Sequence, residues 1–496
     1  MDRKKCFFTK LFTVFVLCTG MILFQNNLSE AEMLTLEKAL ETAMANSPDI
    51  KRTELDLVQS RESLNAQKAA LKSNFSLRIN PFSYNSDRTF NSLFSIWNTN
   101  KTTTSSSTFT ISQPVTWSDG TLALINNFSW QDSYSEFKGE RNKTYNNNLY
   151  LSFQQPLFTY NRTKLQLQQL ELNMENTQYS YAIQKLSLEQ EVTQSFYDVY
   201  QRKMDLDIAI EEQNNQKASY DIIKNKVDAG LSAAEELYQA ELNLANSQLS
   251  VQNQQESLDN ALDSFKLLLG ISILDSIDVS TDVQMKTVSV DLDKAITNGL
   301  QNRMELSQRE ISIQNALFNL TQVSAQNEFK GSLTLSYGVI GTDEQLNNVF
   351  EAPTKKQTVG LTFDIPLWDW GEKKARIKSS QAAVSKQRAF LNDDKNNINL
   401  AIRRAYRNLR KLVNQISIAE QNVRNAQLTY EINLERYKNG DLTSMDLNLY
   451  QAQLSQKKMG YIQNLINYKL ALLNMKILSL WDFEKNQPVL PEKIIK

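Results

Sequence analysis

No histidine occurs in the 496 residues, and the only two cysteines, Cys6 and Cys18, stand within the first 31. Together these absences exclude disulfides, thiolate and imidazole chemistry and most transition-metal sites from the rest of the chain. The charged side chains are scattered over helix faces, with no Gly-rich phosphate loop and no nucleophile beside a base. No catalytic, cofactor-binding or metal-ligating residue is therefore assigned, no cofactor is expected, and the chain does not read as an enzyme. A net charge of -1 provides no basic footprint for nucleic acid. Only 13 Gly and 8 Pro give the chain few places to turn, so its elements must be long. Beyond the first 31 residues no apolar run reaches the ~18 residues a membrane helix needs. A membrane crossing must therefore use strands.

The first 31 residues read as a secretory signal. Arg3, Lys4 and Lys5 precede a mostly apolar run from Phe7 to Phe24, and Ser29-Glu30-Ala31 offers a small-x-small cleavage site that starts the mature chain at Glu32. A retained anchor helix is the other reading of this stretch. Thr9, Lys10, Thr13 and Thr19 interrupt it, and Cys18 follows Leu17, where a lipoprotein signal wants a small residue.

What the chain does contain is a repeat. LSFQQPLFTY at 151–160 and LTFDIPLWDWG at 361–371 align Phe153, Pro156 and Leu157 with Phe363, Pro366 and Leu367. Each proline is followed 74 residues later by a glycine, Gly230 (156 to 230) and Gly440 (366 to 440). Upstream, Leu36-Glu37-Lys38-Ala39 answers to Leu292-Asp293-Lys294-Ala295 and Asn46 to Asn302. The chain is two copies of one unit, and this decides the fold before any local propensity does. The first copy spans 32–270, with strands at about 75–155 and a long helical hairpin at about 160–269. A polar connector at 271–290 leads to the second copy at 291–480, with strands at about 331–366 and a hairpin at about 371–480, then a tail at 481–496.

Heptads dominate both hairpins. Leu237, Leu244, Val251, Leu258 and Phe265 recur at sevens, and the series from Ile398 through Ile402, Ala405, Leu409, Leu412 and Ile416 to Tyr437 alternates steps of four and three, with Asn433 as its polar exception. A 3.5-residue period specifies coiled-coil packing, and a helix from about Lys164 to Asp228 would be nearly ~100 Å long. Before the first hairpin, Phe109–Trp117 and Thr121–Trp130 alternate around a turn at Ser118-Asp119-Gly120, and aromatics crowd the extended region. Such girdles suit membrane strands and soluble sandwiches alike.

In its duplicated order the sequence resembles the TolC-type outer-membrane efflux proteins, through SPDI at 47–50, the PLF and PLWDWG strand exits, and Gly230 and Gly440 followed by Gln239-Ala240-Glu241 and Gln451-Ala452-Gln453. The resemblance implies a mixed α/β membrane protein, in which antiparallel coiled-coil hairpins form a periplasmic α-barrel and the protomers share a transmembrane β-barrel. It implies a homotrimer, four strands per protomer in a twelve-stranded barrel, and a passive channel of a tripartite efflux or type I secretion system. The channel would sit in the outer membrane of a Gram-negative-type envelope and dock on a periplasmic adaptor and an inner-membrane transporter. The hairpin around Gly120 exceeds the four-strand pattern. Asp446, with Glu236 or Asp441, is the expected acidic gate; an N-terminal capping role for Asp446 is the alternative. Leu449 stands where relatives carry a second acid. Gly230, Leu231, Gly440 and Leu442 are the expected adaptor contacts. The competing function is an exported periplasmic coiled-coil scaffold or adaptor without a channel.

Overall fold

The computed structural model describes residues 32–281 and 286–489. The secretory-signal reading, and the end of the tail, lie outside the described residues.

The first copy opens with β1 (Glu32–Leu34), α1 (Leu36–Asn46) and α2 (Pro48–Ala70). Thr35 caps α1 by accepting the Lys38 N–H, and Ser47 caps α2 ahead of Pro48 at its first position. Four strands follow: β2 (Asn74–Asn91), β3 (Ile96–Val115), β4 (Gly120–Ser135) and β5 (Glu140–Leu157). Then come α3 (Arg162–Asp228), about 100 Å of continuous helix, and its return α4 (Ala234–Leu269). The connector holds β6 (Ile277–Val279), which pairs in parallel with β1. The second copy repeats the plan as α5 (Leu292–Asn302), α6 (Met304–Ser324), β7 (Lys330–Asp343), the one-turn α7 (Asn348–Glu351), β8 (Thr354–Asp364), α8 (Glu372–Asn439) and α9 (Ser444–Ser479). The tail adds β9 (Trp481–Asp482) and β10 (Gln487–Pro488), paired with each other. The long helices match copy for copy, 67 and 68 residues out and 36 back in each case.

Six strands join one antiparallel sheet in the order β2-β3-β4-β5-β7-β8. The four strands implied by the resemblance are thus corrected to six. The surplus hairpin is β2–β3, its tip at 92–95, while the Gly120 turn joins that hairpin to the next through the pair Val115↔Gly120. Pro81 is tolerated because it falls at a register shift between Asn80 and Ser83 on an edge strand. The sheet and the helical part share no layer. The largest core lies among α1, α2, α3, α4 and α9, where Phe196, Phe265, Leu188, Val192 and Ile50 are buried with Val279 of β6. Further clusters run along the hairpins, Ile402 and Met475 in one, Ile416 and Tyr468 in the next.

Candidate functional site

Two regions carry the residues singled out from sequence: the hairpin tips and the sheet. At the tips, α3 ends on Gly230 at φ +71° and α8 on Gly440 at φ +91°. The closing pattern is the same in both. The Leu231 N–H donates to the Lys226 carbonyl (2.7 Å) and the Asp441 N–H to that of Arg436 (2.9 Å). A Cβ at either glycine would meet nothing within 4 Å, so a side chain there costs only backbone strain. Gly440→Ala is expected to lose ~1 kcal/mol locally. Amides of the tip should exchange about fivefold faster while those of the Phe196 core stay unchanged.

Leu231 is 78% exposed, whereas Leu442 packs against the buried tip cluster of Ile223, Tyr430, Tyr437 and Leu447. Exposed apolar side chains that the heptads did not single out, Tyr238, Leu242, Met445 and Leu449, lie on the first turns of the two return helices. Asp446 is exposed and tied to the N-cap residue of α9. The Thr443 hydroxyl donates to its carboxylate (2.7 Å) and its own N–H donates to Thr443 Oγ1 (3.2 Å). Glu236 accepts from the Ser232 hydroxyl (2.8 Å) at the matching place in the first copy. Asp441 is exposed directly after Gly440. Asp441 and Asp446 thus flank the Thr443 cap, one in the connecting loop and one in the first turn of α9, and the charge of Glu236 acts on the Tyr437 phenol.

Between the two hairpins lies a set of ties that sequence reasoning missed. Tyr437, 1% exposed, sends its hydroxyl to the Ser219 carbonyl (3.3 Å). Lys226 donates to the Tyr437 carbonyl (2.9 Å), with its ammonium 5.3 Å from the ring centroid. Farther from the tip, Gln216 donates to Asn448 (2.7 Å), Asn215 to Gln451 (3.2 Å), and Lys458 pairs with Glu211 (2.7 Å). A polar layer between helices holds less firmly than an apolar one, because water competes for its bonds once it opens.

Burial chiefly, then the negative charge of Glu236, pushes the Tyr437 phenol up to about 12 from its ordinary 10. Since the folded value is the higher one, the contribution of neutral Tyr437 is intact below about pH 10 and is lost as pH rises through about 12. The tip is expected to loosen across that window, read by proteolysis within α3 and α8. Tyr437→Phe should remove this pH dependence.

The sheet is two-faced. Strand register puts Leu77, Phe109, Ile111, Leu122, Leu124, Phe128, Leu149, Leu151, Phe153, Leu335, Val339, Val359 and Leu361 on one face. On the other stand Thr108, Thr110, Asn127, Ser129, Asn146, Asn148, Thr334, Ser336, Thr358 and Thr362. Aromatics bracket the apolar face. Trp130 pairs with Tyr145 toward the hairpin tips, beneath an Asp132–Arg141 ion pair, and Phe158, Phe329 and Phe363 cluster at the helical end with centroids 5.2 to 6.5 Å apart. From Phe153 to Tyr145 is a rise of ~26 Å along the strand, and less across a membrane because strands tilt. Apolar out, polar in, belted by aromatics: this is how a strand wall meets hydrocarbon on one side and water on the other. Among the described residues no helix is long and apolar enough to cross a membrane.

Comparison with known proteins agrees with this geometry. A family model described as outer membrane efflux protein matches residues 120–271 and 295–478, one segment in each copy, and leaves β2 and β3 outside the match. No curated protein matches the sequence. Among solved structures, the chain is similar to the CmeC outer membrane channel of Campylobacter jejuni at 15% identity, covering 91% of this chain and 86% of that one with a TM-score of 0.68. It is similar to the open state of the MtrE outer membrane channel of Neisseria gonorrhoeae at 13% identity, covering 90% and 88%, TM-score 0.65. For the outer membrane protein VceC of Vibrio cholerae the figures are 13%, 89% and 94%, and 0.65.

Proposed function

The chain belongs to the outer membrane efflux protein family, and from that premise we propose that three copies form a passive conduit from the periplasm through the outer membrane, gated at the hairpin tips. Membership makes the protein an outer-membrane efflux channel and not an enzyme, and it sets aside the coiled-coil scaffold. The observation that carries the conduit is continuity: a sheet apolar on one face and polar on the other leads directly into helical hairpins about 100 Å long. An isolated sheet of this kind cannot stay in hydrocarbon with open edges, each unpaired backbone group costing several kcal/mol. A ring of copies removes the edges, and the same ring sets the hairpins into a tube.

At its far end the tube narrows. Three copies each bring Asp441, Asp446 and Glu236 to the tips, and like charges around a narrow axis favour cations. Its bonds with Thr443 give Asp446 a second task, holding the start of α9. Selectivity separates the two roles. Asp446→Asn keeps a hydrogen-bonding cap and removes three charges per trimer; it is expected to lower cation preference while the melting temperature stays within a few degrees. Leu231, beside Gly230, and Gly440 with its neighbour Leu442 form the surface offered to a periplasmic adaptor, which would couple the conduit to an inner-membrane transporter. Leu231 is its most accessible apolar group, so Leu231→Asp should weaken adaptor capture more than Leu442→Asp weakens it in folded protein.

The reading is tested by fractionation and transport together. The protein should leave the outer-membrane fraction only with detergent, and cells deprived of it should retain exported compounds that cells carrying it expel. Recovery in a soluble periplasmic fraction, with export unchanged, would remove the conduit.

A further inference from the structure

The strand count carries an inference about how wide this conduit is. Both terminal strands of the sheet are open along their lengths: β2 is exposed over all but its last residue, and β8 over all but Gly360. The edges of β3 and β4 are taken, since sixteen residue pairs from Asn100↔Ser135 to Val115↔Gly120 join them. A neighbouring copy can therefore reach this sheet only at β2 or β8. Six is an even number, so β2 and β8 run in opposite directions, and β8 of one copy can continue into β2 of the next as another antiparallel pair.

Width gives the second observation. Directly beneath the sheet, α2, α3, α6 and α8 stand side by side in that order, each packed on the next. Four helices at ~10 Å spacing make a wall ~40 Å across. Six strands at ~4.8 Å spacing, tilted by ~40°, span ~38 Å around a barrel, whereas four would span only ~25 Å. The β2–β3 hairpin, which lies outside the family match, brings the sheet to the width of the helices below it.

We infer that the barrel of this protein has eighteen strands, three copies of six, closed by pairing β8 with β2 of the neighbouring copy, and that it is as wide as the helical tube instead of narrowing at the membrane. The inference rests on the trimer proposed above. Its circumference of about 114 Å corresponds to a backbone diameter of roughly 36 Å, in the range where barrels hold an open aqueous channel. The lumen face, represented by Thr108, Asn127, Asn148, Ser336 and Thr358, is hydroxyl- and amide-rich. The outer-membrane segment then passes large hydrated cargo without sorting it, and selection falls to the tips.

The described part of the chain has no cysteine, which makes the seam accessible to cross-linking on a clean background. Ser76→Cys or Arg78→Cys on β2 is combined with Thr358→Cys, Gly360→Cys or Thr362→Cys on β8, all on the polar face, and oxidised in the outer membrane. Only variants whose unoxidised assembly has the wild-type mass and membrane location are scored. One register should give a covalent trimer on denaturing gels, with neighbouring registers weaker and single cysteines inert. A density map of the purified trimer should show a barrel matching the tube in width. Intact trimers in which no β2–β8 pair joins, or a barrel about two-thirds as wide as the tube, would overturn the eighteen strands and leave the conduit standing. Assemblies of another copy number would overturn both.

Discussion

Tyr437→Ala is expected to open the conduit at its periplasmic end. The side chain is 1% exposed and packs with Ile223, Tyr430 and Leu447 between the hairpins. Removing a buried aromatic of this size costs ~3–5 kcal/mol, and here the cost is shared between the second hairpin, through Tyr430 and Leu447, and its contact with the first, through Ile223. The hydroxyl bond to Ser219 and the ring under Lys226 go with it. The remaining ties, Lys226 to the backbone carbonyl at 437, Gln216–Asn448, Asn215–Gln451 and Lys458–Glu211, are polar or exposed, worth about 1 kcal/mol apiece. Cells carrying the variant should take up large hydrophilic compounds that wild-type cells exclude, at least tenfold faster, with the same amount of protein in the outer membrane. Tyr437→Phe keeps the ring and loses a single bond, so it should leak only slightly. Equal leakage from both variants, or none from either, would mean that the tip is held by something other than this cluster.

Leu124→Arg is expected to abolish assembly in the membrane. Leu124 sits on the apolar face of β4, with Ile111 and Leu151 as its register partners. A charge there costs ~2–4 kcal/mol near the bilayer midplane, and a ring of three copies incurs it three times. Three residues along the same strand, Asn127 lies on the opposite face, and Asn127→Arg should insert normally because that face meets water. The amount of folded protein recovered from outer membranes separates the two. Loss from both, or from neither, would refute the assignment of faces.

The helical half was legible because its signal is periodic. The series through Ile402, Leu409, Leu412 and Ile416 is buried along α8, and the glycines at 230 and 440 do reverse the chain. Asn433, the polar exception, is buried without loss because its amide donates to the Thr429 carbonyl one turn back (2.8 Å).

The β2–β3 hairpin escaped detection for a physical reason. Between Thr99 and Ser107 the sequence reads TNKTTTSSS, polar at every position, although all but Ser105 pair with β2 and all but Thr99 pair with β4. Alternation appears only where one face meets hydrocarbon, and on β3 that holds near Phe109 and Ile111. The outer half of the strand is polar on both faces and so leaves no period to read. The connector concealed β6 because three residues, Ile277 to Val279, are too few for a pattern and pair with β1 more than 240 residues away (32 to 277). The inter-hairpin ties were hidden similarly. Gln216, Asn448 and Lys226 are ordinary surface residues on a helical wheel, and only the packing of one hairpin on the other makes them partners. Asp446 was legible as an acid near the tip, while its bond to Thr443 belongs to local cap geometry that the acid pattern does not encode.

The most direct test of the account is the current through single molecules of the purified protein in a planar bilayer. Detergent-solubilised protein is expected to insert and give small, cation-favouring steps, which become several-fold larger in Tyr437→Ala and lose their cation preference in Asp446→Asn. Protein that stays in solution without detergent and carries no current in any of the three forms would contradict it.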